Sequence, residues 1–209
     1  MSEAPPRTLV FDLGGVVVDW NPRHLYRKLF PGDERGMQFF LSHVCSGEWN
    51  ARHDAGRPFA EGIAELQAQH PEHTALIAAY WERWDEMLPG PIPGAPVLLR
   101  ELRAAGVPLY ALSNWSAETW PRVRERFDFW DCFDGIVISG EIRLAKPDPA
   151  IFEYLLERFA LEAGSALFID DSDTNVEAAR LVGLQGLRFA SVPQLRHELR
   201  ALGIACGLG

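Results

Sequence analysis

Several residues that can carry phosphoryl-transfer chemistry stand where strands of this sequence end. Each predicted strand is a short apolar run, and the polar groups that directly follow these runs are Asp12, Ser113-Asn114 and Asp170-Asp171. Because parallel strands present their carboxyl ends at one edge of a sheet, we expect these groups to meet although they are far apart in sequence. Lys146, which precedes a predicted helix, should lie in the same layer.

The residue types suggest a task for each group. Asp12 and Asp171 offer the oxygen ligands that Mg²⁺ prefers. Lys146 could neutralise an anionic substrate and a carboxylate nucleophile, and Ser113 could donate to phosphate oxygens. Positioning and charge neutralisation do most of the work in phosphoryl transfer, and an aspartate nucleophile would form an aspartyl-phosphate that water hydrolyses.

The elements that would position these residues alternate between strand and helix. This alternation predicts an α/β fold with a doubly wound parallel sheet. Residues 20–89 differ, because their apolar residues recur at helical spacing and no convincing strand lies among them. A turn-rich stretch, Leu88–Gly94, closes that part. We therefore predict a core domain of residues 1–19 and 90–209 and a small inserted helical cap of residues 20–89.

Composition narrows the function further. The chain has 209 residues, of which 47% are hydrophobic, and a net charge of −9. The negative charge argues against nucleic acid as a partner, and no apolar run is long enough to span a membrane. The first residues carry no export signal, and the three cysteines are widely spaced, so we expect reduced thiols and a cytoplasmic protein. The oligomeric state is left open.

Four short motifs in order give the sequence a family resemblance. They are Phe11–Val16, Leu112–Asn114, Lys146–Pro149 and Phe168–Asn175. With these motifs the chain resembles the haloacid dehalogenase (HAD) superfamily along essentially its whole length, and the insertion is similar to that family's type 1 helical cap. The first motif has a form similar to that of a subgroup that includes phosphatases of glucose 1-phosphate.

The resemblance implies a Rossmann-like hydrolase core and a role for each motif residue. Asp12 would be the nucleophile and a Mg²⁺ ligand, Asp171 the principal metal-binding carboxylate, and Asp170 a ligand directly or through water. Ser113 would contact the phosphate, and Lys146 would bridge nucleophile and phosphate. Asn114 is predicted to bind substrate, and Asn175 to support the metal site.

Gly14 departs from the pattern of the family's phosphatases. These enzymes usually carry a second aspartate at this position, which protonates the leaving oxygen and later activates water. A glycine still has the backbone carbonyl that the family uses as a metal ligand, but it has no acid–base group. Such help is typically worth about 10²–10⁴-fold in rate. We therefore expect a slower enzyme, a good leaving group such as a sugar 1-phosphate, or a proton donor from elsewhere, for which His53 of the cap is a candidate.

One polar stretch of the cap, residues 48–57, mixes aromatic, basic and amide groups. From it we predict that Trp49, Arg52 and His53 face the site and bind substrate, because an aromatic ring can stack on a sugar and an arginine can pair with phosphate. Trp81 and Trp84, three residues apart, are predicted to be core residues.

Three functions remain open at this level. The leading hypothesis is a Mg²⁺-dependent phosphatase of small phosphate esters, with sugar phosphates among the candidate substrates. The second is a metal-independent 2-haloacid dehalogenase that uses Asp12 on carbon; Gly14 favours it, and the acidic pair Asp170-Asp171 counts against it. The third is a non-catalytic relative that binds a phosphorylated ligand or a protein partner.

Overall fold

A five-stranded parallel sheet forms the centre of the computed structural model, which describes residues 5–207. The strand order is β3-β2-β1-β4-β5, so the first strand is central. The strands are β1 (Thr8–Phe11), β2 (Leu109–Ser113), β3 (Gly135–Ile138), β4 (Ala166–Asp170) and β5 (Gln185–Arg188). The predicted α/β fold is confirmed.

The register of the sheet brings the strand ends to one level. Phe11 pairs with Ala111 on one side and with Ile169 on the other. The next residue of β1, Asp12, therefore lies beside the ends of both neighbouring strands. Residues of β1, β2 and β4 are almost all buried, as expected for a parallel sheet that is covered on both faces.

The second part of the chain forms six helices that cover the sheet. They are α6 (Ala95–Ala104), α7 (Trp120–Arg124), α8 (Ser139–Ile142), α9 (Pro149–Phe159), α10 (Asp173–Leu181) and α11 (Val192–Ala201). The side chain of Asp148 accepts from the N–H of Ala150 and Pro149 begins α9, as the sequence predicts for this helix start.

One helix is shorter than the sequence suggests. The arginine- and glutamate-rich sequence before Phe127 predicts helix to about that residue, but α7 ends at Arg124 and Phe127 has extended backbone. The physical reason is the run that follows. Phe129 and Trp130 turn into the core within a short 3₁₀ helix, and the indole N–H of Trp130 donates to the carbonyl of Val123.

Between β1 and α6 the named elements of the described chain are helical. They are α1 (Arg23–Leu29), α2 (Glu34–His43), α3 (Gly47–Asp54), α4 (Phe59–Gln69) and α5 (Thr74–Glu82), with short 3₁₀ helices at Pro71–His73 and Trp84–Met87. We propose that residues 20–89 be treated as a cap on the sheet. No helix among the described residues combines the length and apolarity needed to cross a membrane.

Candidate active site

Asp12 lies just beyond the end of the central strand, where its side chain is held by two donors. The carboxylate is 10% exposed. Its Oδ1 accepts a hydrogen bond of 2.8 Å from the hydroxyl of Ser113 and one of 2.8 Å from the ammonium of Lys146. This arrangement fixes the orientation of the carboxylate, as a nucleophile requires, and leaves a small part of it exposed.

The ammonium of Lys146 is buried and contacts three oxygen atoms. Besides Asp12, Nζ donates to the carbonyl of Leu112 at 2.9 Å and to Oδ2 of Asp170 at 2.7 Å. Burial alone would lower the pKa of Lys146, but the two carboxylates outweigh burial, so the pKa lies above its ordinary value. The lysine is therefore charged at neutral pH.

Asn114 fixes the backbone from which Lys146 projects. Its Nδ2 donates to the carbonyl of Lys146 and its Oδ1 accepts from the N–H of Lys146, both at 2.8 Å. The amide thus joins the end of β2 to the loop before α9. We predicted substrate contact for Asn114; the structure uses both ends of its amide to position Lys146, although the residue also borders the cavity described below.

Two adjacent carboxylates end β4, and they have different surroundings. Asp170 is fully buried and accepts from Lys146, from the N–H of Ser172 at 2.7 Å and from Nδ2 of Asn175 at 3.1 and 3.2 Å. Asp171 is more exposed and lies over Gly15. A Cβ atom on Gly15, whose φ is +80°, would stand 2.7 Å from Oδ2 of Asp171, so this position requires glycine.

Asp12, Asp170 and Asp171 form an acidic cluster whose ligand atoms all lie within 4.8 Å of one another. Carboxylate oxygens at this spacing suit a hard cation such as Mg²⁺. Because both oxygens of Asp170 already accept hydrogen bonds, Asp12 and Asp171 are the better placed direct ligands. Asp170 would then act by orienting Lys146 and the loop after β4.

The charge balance of the cluster favours a bound cation. Burial raises the pKa of Asp12 to about 6, with a further rise from Asp170 and an opposing effect of Lys146. Burial also raises the pKa of Asp171, again with the charge of Asp170 adding to it. One lysine among three carboxylates leaves excess negative charge, which a cation would offset.

A cavity of about 50 Å³ opens beside Gly14, between the sheet edge and the cap. Four of its nine lining residues are aromatic and four are polar. The lining residues are Gly14, Trp20, Asn50, Asp54, Phe59, Trp84, Asn114, Trp115 and Thr119. Trp84 is buried, as the sequence predicts for a core residue, and it also forms part of this wall.

The three cap residues that we predicted to bind substrate are not brought to this cavity. The Trp49 indole packs against Tyr80 and donates to the carbonyl of Gly62. Arg52 is exposed, 3.7 Å from Glu48. His53 is fully buried, and its ring stacks on Phe59 at 4.1 Å while Nδ1 contacts the carbonyl of Arg57.

The rotation of α3 about its own axis explains why these residues do not reach the cavity. Trp49 and His53 stand four residues apart on the face that packs into the cap interior, whereas Asn50 and Asp54 occupy the adjacent face toward the cavity. Burial also lowers the pKa of His53, which keeps it neutral. The stretch singled out from the sequence therefore reaches the cavity, but through Asn50 and Asp54, which were not among the predicted site residues. The signal that could have found them is the i, i+4 pairing of an amide with a carboxylate.

Family comparison agrees with this geometry. The family model for haloacid dehalogenase-like hydrolases matches residues 6–183. The chain therefore belongs to the haloacid dehalogenase-like hydrolases, and it is a hydrolase.

Relatives with named activities include phosphatases. A sesquiterpene phosphatase from Aspergillus oryzae is 29% identical over 196 residues, which are 94% of this chain and 96% of the relative. A phosphoglycolate phosphatase from Cereibacter sphaeroides is 28% identical over 208 residues, which are 91% of this chain and 90% of the relative.

The fold also matches a solved structure. A HAD family enzyme from Bacteroides thetaiotaomicron, in complex with magnesium and inorganic phosphate, superposes with a TM-score of 0.68 at 23% identity. The match covers 93% of this chain and all of that one. At this identity the likeness concerns the fold.

Proposed function

We propose that this protein is a Mg²⁺-dependent phosphatase of small phosphate esters in which Asp12 is the nucleophile. The observation that carries the proposal is the placement of Asp12. Its carboxylate is oriented by Ser113 and Lys146 and lies within 4.8 Å of two further carboxylates, and Gly14, two residues on, lines the cavity. The two phosphatases among the relatives support the same reaction class.

Each residue of the site has a task in this reaction. An oxygen of Asp12 forms a bond to phosphorus while the ester P–O bond breaks, which gives an aspartyl-phosphate; water then attacks phosphorus and frees Asp12. Lys146 offsets charge on the nucleophile and the phosphoryl oxygens, and Ser113 keeps Asp12 aligned. Asp12, Asp171 and the carbonyl of Gly14 would hold Mg²⁺, with Asp170 beside them. When bound, Mg²⁺ supplies positive charge that stabilises the transferring phosphoryl group.

The cavity beside Gly14 favours an uncharged organic group on the substrate. Four of the residues that line it are aromatic, and none of those in the described chain is lysine or arginine. An alcohol or a sugar could pack against such walls, whereas a carboxylate there would lack a cation and would face Asp54. We therefore expect esters of neutral alcohols, including sugar phosphates, to be better substrates than 2-phosphoglycolate.

The acidic cluster also separates this proposal from the dehalogenase alternative. A metal-independent attack on carbon has no use for three clustered carboxylates, which repel one another; burial raises the pKa of Asp12, and the charge of Asp170 adds to this rise. Halide release from 2-chloropropionate in EDTA, lost in Asp12→Asn, would favour the alternative.

A phosphate-ester panel tests the proposal. We expect the wild type to release phosphate with Mg²⁺, and to lose this activity in EDTA and in Asp12→Asn. Asp128→Asn, which changes an exposed aspartate paired with Arg100, is the matched control and should keep full activity. Absence of turnover across the panel with Mg²⁺, or an active Asp12→Asn, would contradict the proposal.

A further inference from the structure

Hydrolysis of an alkyl phosphate requires a proton donor, and Gly14 cannot be that donor. The leaving alkoxide must take up a proton, and the attacking water must later lose one. Asp54 is the one carboxyl group among the described residues that line the cavity beside Gly14. The following inference rests on the proposed phosphatase function.

A chain of hydrogen bonds holds the side chain of Asp54 toward the cavity. The hydroxyl of Tyr80 donates to Oδ1 of Asn50 at 2.9 Å, and Nδ2 of Asn50 donates to Oδ2 of Asp54 at 2.8 Å. Tyr80 and Asn50 are both buried. The carboxyl group is therefore oriented by packed neighbours, as a group that transfers protons must be.

The backbone of Asp54 is attached to the core although the residue belongs to the cap. The hydroxyl of Ser139, at the start of α8, donates to the carbonyl of Asp54 and accepts from the N–H of Trp115 at 2.9 Å. Gly56, two residues on, packs so closely that a Cβ there would lie 3.1 Å from the carbonyl of Gly140. The end of α3 is thus docked onto the strand ends that carry the site.

The electrostatic surroundings agree with a proton-transfer group. Burial raises the pKa of Asp54 to about 7, and the negative charge of Asp12 adds to the rise; a backbone hydrogen bond from Ser116 opposes it. Both protonation states are therefore accessible near neutral pH, which suits a group that first donates and then accepts a proton.

We propose that Asp54, supplied by the cap, is the catalytic acid and base of this enzyme in place of the residue missing at Gly14. In the first step the proton of Asp54 goes to the leaving oxygen as the ester P–O bond breaks and the alcohol departs. In the second step the Asp54 carboxylate takes a proton from the attacking water. The new P–O bond forms, the bond between Asp12 and phosphorus breaks, and Asp54 is ready for the next cycle.

The test compares two leaving groups in Asp54→Asn with Mg²⁺. p-Nitrophenolate is a good leaving group and departs without being protonated. The alkoxide of phenethyl phosphate must take up a proton as it leaves. We expect steady-state kcat to fall about 10²–10⁴-fold on both esters, because water activation is lost. With p-nitrophenyl phosphate a burst of about one p-nitrophenolate per enzyme should precede the slow turnover. With phenethyl phosphate the burst should be absent.

Controls separate this proposal from its alternatives. Asp19→Asn changes a partly exposed aspartate that pairs with His24 outside the cavity, and its kinetics should match the wild type. Asp54→Asn removes the charge of a half-buried side chain rather than adding one, so its melting temperature at pH 8 should not fall below that of the wild type.

The two proposals fail in different ways. A wild type that is inert, or an active Asp12→Asn, contradicts the phosphatase function itself. If the wild type is active and Asp12→Asn is inert, two results overturn the role of Asp54. One is retention of alkyl-phosphate turnover within threefold in Asp54→Asn. The other is an equal loss on both esters without a burst, which is what a merely structural role would give.

Discussion

Replacement of Lys146 by methionine tests how the site is held together. In the wild type, Nζ of Lys146 contacts oxygens of Asp12, Asp170 and Leu112 at 2.7–2.9 Å. The side chains of Lys146 and Asp170 are 1% and 0% exposed, so water cannot replace the ammonium. Methionine keeps much of the volume but leaves two neighbouring buried carboxylates without their cation.

The expected cost is large for a single substitution. Removing one partner of a buried ion pair typically destabilises a protein by about 3–5 kcal/mol. For a chain of this size each kcal/mol shifts the melting temperature by about 2–4 °C, so the shift should be about 6–20 °C. Without Lys146, which opposes the effect of burial, the folded-state pKa of Asp12 rises further above its unfolded value. The loss should therefore be smallest near pH 5 and should grow toward pH 8.

Urea unfolding in EDTA at pH 5 and pH 8 measures this loss. Lys28→Met is the matched control, because Lys28 forms an exposed pair with Glu86 and its loss should cost less than about 1 kcal/mol. Asp170→Asn added to Lys146→Met should recover part of the stability. A loss below about 1 kcal/mol for Lys146→Met, or one that is the same at both pH values, would refute the reasoning.

Three further predictions concern the carboxylates and the glycines beside them. Gly15→Ala places a methyl group against the Asp171 carboxylate and requires a strained φ, so Mg²⁺ affinity measured by calorimetry should fall at least tenfold; unchanged affinity would contradict the metal site. Gly14→Asp added to Asp54→Asn should raise kcat on phenethyl phosphate at least tenfold, because it supplies the carboxyl group that is missing at position 14. The new side chain has room there, since no neighbouring atom lies within 4 Å of a Cβ at that position. No gain in a double variant with unchanged melting temperature would contradict the account. In the wild type, kcat on phenethyl phosphate should fall as pH rises through about 7, since Asp54 loses its proton there. Mg²⁺ beside Asp12 would move this fall to a lower pH. A fall in kcat that persists in Asp54→Asn would assign the titration to another group.

The sequence was informative where the structure depends on local patterns. Leu9–Phe11 and Ala166–Ile169 are continuous apolar runs, and such runs are typical of strands covered on both faces. Once those strands are parallel, the convergence of Asp12, Ser113 and Asp170 follows from the topology. The contacts of Lys146 with two of these residues in the structure agree with the charge-neutralising role that its position suggests.

The cap residues that face the site were less predictable, because the sequence does not show which of two polar faces of α3 is turned toward the site. Trp49, Arg52 and His53 carry the chemistry usually seen in substrate sites, yet the aromatic ones pack inside the cap. Long-range contacts set the rotation of α3 about its own axis. The bonds of Asp54 to Ser139, 85 residues away, and of Asn50 to Tyr80, 30 residues away, are examples. No local pattern reports these long-range contacts. The i, i+4 spacing of Asn50 and Asp54 is a local signal, but it does not show which face of α3 meets the cavity.

The central claim is that Asp12 becomes phosphorylated. The most direct measurement is peptide mass spectrometry after an acid quench of Asp54→Asn reacting with p-nitrophenyl phosphate and Mg²⁺, conditions in which the intermediate should accumulate. The account predicts one phosphoryl group per chain, on the peptide that contains Asp12, and none in EDTA or when Asp12→Asn is added. Turnover of the ester by the wild type together with phosphorylation of another residue, or with continued phosphorylation after Asp12→Asn, would contradict it.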